Sequence, residues 1–179
     1  MNNIKIRKMK TSDKLGLLKL LKRTAMFSRQ EIKIAAELMD SYLKNACQGD
    51  YRIYVAEISD GTLAGYVCYG PTPCTENTYD IYWIAVDPSL QGRGLGGKLL
   101  RFAESKIAVL GGKMIIVETS STKRYKETRK FYLAKLYRIG AVIKDFYKKG
   151  DDKIIFIKRI SKNYKLREGG NGKMEKTAA

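Results

Sequence analysis

The segment Gln91-Gly92-Arg93-Gly94-Leu95-Gly96-Gly97-Lys98 constrains this chain more than any other. Four glycines in six residues weaken a helix start unless something needs the space they leave. The segment follows an apolar run, YDIYWIAV (79–86), that Asp87-Pro88 stops. It leads into KLLRFAESKIAVL, where Leu99, Leu100, Ala103, Ile107 and Leu110 fall at helical spacing. Strand, glycine loop and helix N-terminus in that order suit an anion. The glycines let backbone approach closely, the first helical turn offers N–H groups with no intrahelical acceptor, and the helix dipole favours negative charge. Arg93 and Lys98 would add full charges.

Three phosphate-binding patterns overlap here. Gly92-x-Gly94-x-x-Gly97 is a literal dinucleotide fingerprint, but such a turn carries its strand almost directly into the first glycine, and residues 87–91 intervene. Gly92-x-x-x-x-Gly97-Lys98 approaches a nucleoside-triphosphate loop, yet Leu99 stands where a Ser/Thr hydroxyl is needed for Mg²⁺. The third pattern is Gln91-x-x-Gly94-x-Gly96, between an apolar strand and a helix.

Around this centre the chain reads as alternating strands and helices. Ile4–Lys10 is a first strand, Thr11, Ser12 and Asp13 offer helix caps before a leucine-rich stretch, and Ser28 with Glu31 fits a capping box for a second helix. That helix presents Ala35, Leu38, Met39, Tyr42, Leu43 and Ala46 on one face. Residues 51–58 and 63–70 flank an Asp-Gly turn as a hairpin. After the glycine segment come a strand over 113–120, a helix over about 125–136, a strand over 141–147, a turn at 150–152 and a last strand over 154–160. The order β-α-α-β-β-β-α-β-α-β-β predicts one α/β domain with a mixed, mostly antiparallel sheet flanked by helices, over residues 1–160. Residues 161–179, with five basic and two acidic side chains and little apolar periodicity, read as a flexible basic tail.

Composition removes several chemistries. With no histidine in 179 residues, Ser-His-Asp and Cys-His nucleophiles and the HExxH zinc site are excluded. Cys47, Cys68 and Cys74 are an odd set without CxxC spacing, so no metal site and no disulfide framework is expected, and the default compartment is the reducing cytoplasm. No apolar run approaches the ~20 residues of a membrane span. The formal charge of +17 suits polyanions: a phosphate-bearing cosubstrate, or nucleic acid, which the scattered lysines do not favour.

The stretch IAVDPSLQGRGLGGKLL resembles the acetyl-CoA motif of the GNAT superfamily of N-acetyltransferases, and YKETRKFYLAKLY (125–137) is similar to that family's later helix, in which an aromatic pair ends in a tyrosine. The element order agrees from Ile4 to Ile160. The resemblance implies a splayed GNAT-like sheet and direct acetyl transfer from acetyl-CoA to a primary amine in a ternary complex, without metal. It implies that Gln91, Gly92, Arg93, Gly94, Leu95, Gly96, Gly97 and Lys98 hold the pyrophosphate. It also implies that the strand before the loop bulges, and that Ile84, Ala85 and Val86, faced by Thr119 and Ser120, border the pantetheine arm in a gap between strands. Tyr132 matches the family's general acid. Tyr125 and Leu136 depart from the Asn and Gly usual there, with Thr128 and Arg129 as replacement polar contacts.

Making a lysine-like amine neutral at pH 7 costs roughly 4.6 kcal/mol, so a carboxylate base is expected. Asp80, six residues before Val86, matches the carboxylate position of the family's histone acetyltransferases; Glu118 on the adjacent strand is the second candidate. Alternation places Tyr82 and Ile84 on the face of Asp80, with Ile81 and Trp83 opposite. Tyr69, Tyr79, Tyr82 and Trp83 supply aromatic faces for a cationic acceptor, expected to lie against the first two helices. The alternatives are a catalytically silent acetyl-CoA-binding sensor and a nucleic-acid-associated module.

Overall fold

The computed structural model describes residues 4–45 and 49–160; the tail over 161–179, Ala46 and Cys47 lie outside them. The elements run β1 (Lys5–Lys8), α1 (Lys14–Thr24), α2 (Arg29–Lys44), β2 (Arg52–Glu57), β3 (Leu63–Pro71), β4 (Thr78–Val86), α3 (Leu95–Val109), β5 (Met114–Ser120), α4 (Lys126–Ala134), β6 (Arg138–Lys148) and β7 (Asp151–Arg159). This is the order the sequence predicts. The capping box at Ser28 forms as read: the Ser28 amide donates to Glu31 Oε2 at 2.7 Å, and the Glu31 amide donates to Ser28 Oγ at 3.2 Å. The last hairpin turns earlier than expected, so β7 begins at Asp151. Gly150, at φ +79°, takes the tight turn, while the Asp145 and Asp152 carboxylates accept amide hydrogens across it.

Seven strands form one sheet in the order β1-β2-β3-β4-β5-β7-β6. Every pairing is antiparallel except β4 with β5, which α3 connects as a crossover. On one face α3 sinks Leu99, Leu100, Ala103 and Ile107, each at most 1% exposed, against Val67, Ile115, Val117 and Phe156. Burying a side chain of that size is worth about 1.5–3 kcal/mol, so this helix anchors the glycine loop at its start. On the other face α1 and α2 cover Ile53, Val55, Tyr66, Cys68 and Ala85 with Leu17, Leu20, Leu21 and Met39.

Two irregularities in β4 shape the surface it offers. Cys68 pairs with Trp83 but Tyr69 pairs with Ile81, which leaves Tyr82 as an extra residue in a bulge. The bulge reverses the alternation. Ile81, Ile84 and Val86 pack with the α3 side, while Tyr82, Trp83 and Ala85 pack with the α1–α2 side, so the uniform alternation expected from the sequence is corrected. The second irregularity is a divergence. β4 and β5 pair only at Thr78–Met114, Tyr79–Ile115 and Asp80–Ile116, although β4 runs on to Val86 and β5 to Ser120.

Candidate active site

Past Asp80 and Ile116 the two strands part, and a cavity of about 900 Å³ opens between them. Ile84, Ala85 and Val86 line one wall, with the backbone edge that β5 has left; Val117, Glu118, Thr119 and Ser120 line the other. Gln91 borders the cavity, and its side-chain amide donates to the Val86 carbonyl at 3.1 Å. The loop is held from below. Asp87 accepts the Ser89 amide at 3.0 Å, the Ser89 hydroxyl at 2.7 Å and the Arg23 guanidinium. Burial alone would raise the Asp87 carboxyl, but these hydrogen bonds outweigh it and hold the group below its ordinary value.

Gly92 and Gly94 have φ of +73° and +80°, a region where an L side chain is strained, and no protein atom lies within 4 Å of where a Cβ would stand. Helix α3 then starts at Leu95, with its first intrahelical bond from the Lys98 amide to the Gly94 carbonyl at 3.1 Å. The amides before Lys98 therefore have no acceptor within the helix. Arg93 and Lys98 are exposed, and Leu95 puts its side chain into the core, which leaves only its backbone for a ligand. Residues 92–98 lie outside the cavity lining, with Gly92, Arg93, Gly94 and Lys98 exposed.

The two candidate carboxylates are placed differently. Glu118 lines the cavity with a side chain 45% exposed, and its Oε2 lies 2.7 Å from Lys153 Nζ. Asp80 sits at the last paired rung and is not part of the lining; its Oδ2 accepts from the Thr72 hydroxyl at 2.7 Å. Burial raises the Asp80 carboxyl, the Thr72 hydrogen bond opposes that, and the charge of Glu118 pushes it up further. Tyr132 borders the cavity at 2% exposure, packed edge-on against Phe131 and Tyr137, and burial pushes its phenol up. The Thr119 hydroxyl is buried with no hydrogen-bond partner among the described residues. The Ser120 hydroxyl is committed to Asp151 at 2.6 Å and to Thr122.

Of the expected aromatic wall, Tyr82 and Trp83 line the cavity, with Phe27 edge-on to Trp83 at 5.0 Å. Tyr69 is fully buried and Tyr79 packs against the core. Met26 and Phe27 of the α1–α2 connection and Glu31 of α2 also line the cavity. Tyr125, where the family pattern has Asn, donates its hydroxyl to Met26 O and Glu31 Oε1, each at 3.3 Å, and burial and the Glu31 charge push it up to about 12. Thr128 borders the cavity, whereas Arg129 donates to the carbonyls of Ser120 and Thr122, both at 2.8 Å. The β6–β7 hairpin, which sequence reasoning left out of the site, brings Tyr147, Lys148 and Asp151 to the same cavity. Nothing in strand periodicity signals this, because the hairpin reaches the site only through the way β7 pairs with β5.

Residues 18–136 match the family described as the Acetyltransferase (GNAT) family. Over 51 residues, 27% of this chain, the sequence is 49% identical to the N-alpha-acetyltransferase RimI of Mycobacterium tuberculosis, and that stretch spans 31% of the relative's length. Among solved structures, a GNAT-family protein from Desulfovibrio desulfuricans is 38% identical and superposes with a TM-score of 0.86, covering 89% of this chain and all of that one. An aminoglycoside 6'-N-acetyltransferase complexed with coenzyme A shares the fold at 16% identity and a TM-score of 0.67, over 87% of this chain and 96% of that one.

Proposed function

Because the chain belongs to the GNAT family of acetyltransferases, we propose that its cavity takes acetyl-CoA and a primary amine together and moves the acetyl group directly between them. One observation carries the reading: β4 and β5 separate after three paired rungs, and the opening leads toward a glycine loop at the N-terminus of α3. The free edge of β4 suits an extended amide-bearing arm that pairs with it as a strand would. The unpartnered Thr119 hydroxyl supplies a polar group awaiting such a ligand, and the amides of residues 92–97 suit a diphosphate. These features fit acetyl-CoA, which supplies the acyl group as an activated thioester. Coenzyme A bound to an aminoglycoside acetyltransferase of the same fold supports this choice of donor.

In this reading Glu118 takes the proton from the acceptor ammonium. Its support is position: the carboxylate stands on the cavity wall, whereas Asp80, the other candidate, sits below it and is held toward its neutral form by burial. Tyr132 keeps its phenolic proton, which burial secures, for the sulfur that leaves. Tyr82, Trp83 and Phe27 form the apolar side of the acceptor's path. The RimI relative acts on an N-alpha amine by its name, so peptide N-termini head the acceptor classes to be tried. No helix among the described residues is long and apolar enough to cross a membrane. Three cysteines without CxxC spacing suit a reducing compartment, and we place the reaction in the cytoplasm.

The test is product mass spectrometry after incubation with acetyl-CoA and a panel of N-terminal peptides, lysine and aminoglycosides. A gain of one acetyl group on an amine is expected, with Glu118→Gln lowering kcat about 10²-fold or more and leaving coenzyme Kd within twofold. Coenzyme binding without transfer to any amine would favour the sensor instead, and an unchanged kcat in Glu118→Gln would remove the base assignment.

A further inference from the structure

Lys153, on β7, lies opposite Ser120 in the antiparallel register, so its side chain rises on the same face of the sheet as Ser120 and Glu118. Its Nζ lies 2.7 Å from Glu118 Oε2 and 3.8 Å from the centroid of the Phe146 ring. The lysine is 14% exposed and the glutamate 45%. An exposed lysine–glutamate pair does little, because two long side chains lose their freedom to make it. Here the ring and the shielding already order the lysine, while the carboxylate stays open to the cavity.

We propose that Lys153 is a positioning residue of the transfer reaction: clamped against Phe146, its ammonium holds Glu118 by Oε2 and leaves Oε1 to receive the acceptor's proton. The inference rests on Glu118 being the base. The surroundings make the cation matter. Asp80 of β4 and the Tyr147 phenol of β6 lie within electrostatic reach of Glu118, and Asp151, Glu31, Tyr125, Arg124 and Lys148 line the same cavity. Arg124 donates to the Ala25 carbonyl at the mouth. Lys153 is in contact with the carboxylate, so without it Glu118 loses the cation that fixes its Oε2.

The experiment is steady-state kinetics of the full chain carrying Lys153→Met or Lys153→Arg, with folding checked by thermal melting. Lys153→Met is expected to lower kcat about tenfold, with acceptor KM and coenzyme Kd within twofold. Lys153→Arg keeps the charge and should restore most of kcat. Should Lys153→Met not fold, Phe146→Leu, at a half-exposed ring, loosens the clamp and is expected to lower kcat in the same pattern. A folded Lys153→Met with the wild-type kcat, or an arginine variant as slow as the methionine one, overturns the proposal. If those variants behave so while Glu118→Gln still loses its rate, only the role of Lys153 falls. If Glu118→Gln keeps the wild-type rate, the base assignment falls and this inference with it.

Discussion

A buried hydroxyl without a partner costs stability, about 1–3 kcal/mol when it forgoes every hydrogen bond, and Thr119 carries one on the wall of the opening. Replacing it by valine keeps the shape and removes the orphan. Thr119→Val is therefore expected to hold or raise the melting temperature while weakening acetyl-CoA binding several-fold by calorimetry; equal affinity would show that the hydroxyl never meets the ligand. Tyr132→Phe is expected to lower kcat by about 10²-fold with little change in Kd, since only the proton it carries is lost. An unchanged kcat would return Tyr132 to the core as a packing residue. Both residues could be nominated from the sequence because they sit within short motifs, and the structure puts both in the cavity lining. The contacts of Lys153 and Tyr125 were not legible there, since their partners Glu118 and Glu31 lie 35 and 94 residues away in sequence and meet them only through tertiary pairing.

At the scale of elements, strand and helix order followed from periodicity and turn residues, whereas the face each β4 side chain takes did not. An alternation rule has no term for an inserted residue, and the bulge at Tyr82 turns the rest of the strand over. The end of α4 is a second case. The helix stops at Ala134, and Leu136 adopts φ +65° with 82% of its surface exposed, taking the backbone shape for which the family pattern uses glycine. Leu136→Gly relieves that strain and surrenders little burial, so a gain of roughly 0.5–1 kcal/mol is expected, read as a higher melting temperature. A lower one would mean that the leucine's contacts outweigh its strain. In the glycine loop, a Cβ at Gly94 meets nothing within 4 Å beyond its chain neighbours, so with Gly94→Asp the fold should survive with modest strain while coenzyme affinity collapses from charge and bulk set against the diphosphate.

Across the whole molecule, acid should strike at two carboxylates held by hydrogen bonds, one of them beneath the glycine loop. Asp87 beneath the loop, and Asp13 gripped by Arg7, both have carboxyls lowered on folding: burial opposes ionisation at each, and hydrogen bonds from Ser89 and Arg23, or from Arg7, outweigh it. A lowered folded value means that these groups contribute stability above the ordinary carboxylate range and lose it as pH falls through their folded values. Denaturant midpoints are thus expected to hold near neutrality and to fall below about pH 4. Asp87→Asn should flatten part of that fall; an identical profile would show that Asp87 does not brace the loop. The parted strands and the glycine loop are held to grip one extended ligand. Hydrogen exchange of the full chain with and without acetyl-CoA tests that grip most directly. Slowed exchange is expected at the amides of residues 84–86, 92–97 and 119–120, with the outer strands β1 and β2 unchanged; equal exchange at those amides under saturating acetyl-CoA would contradict it.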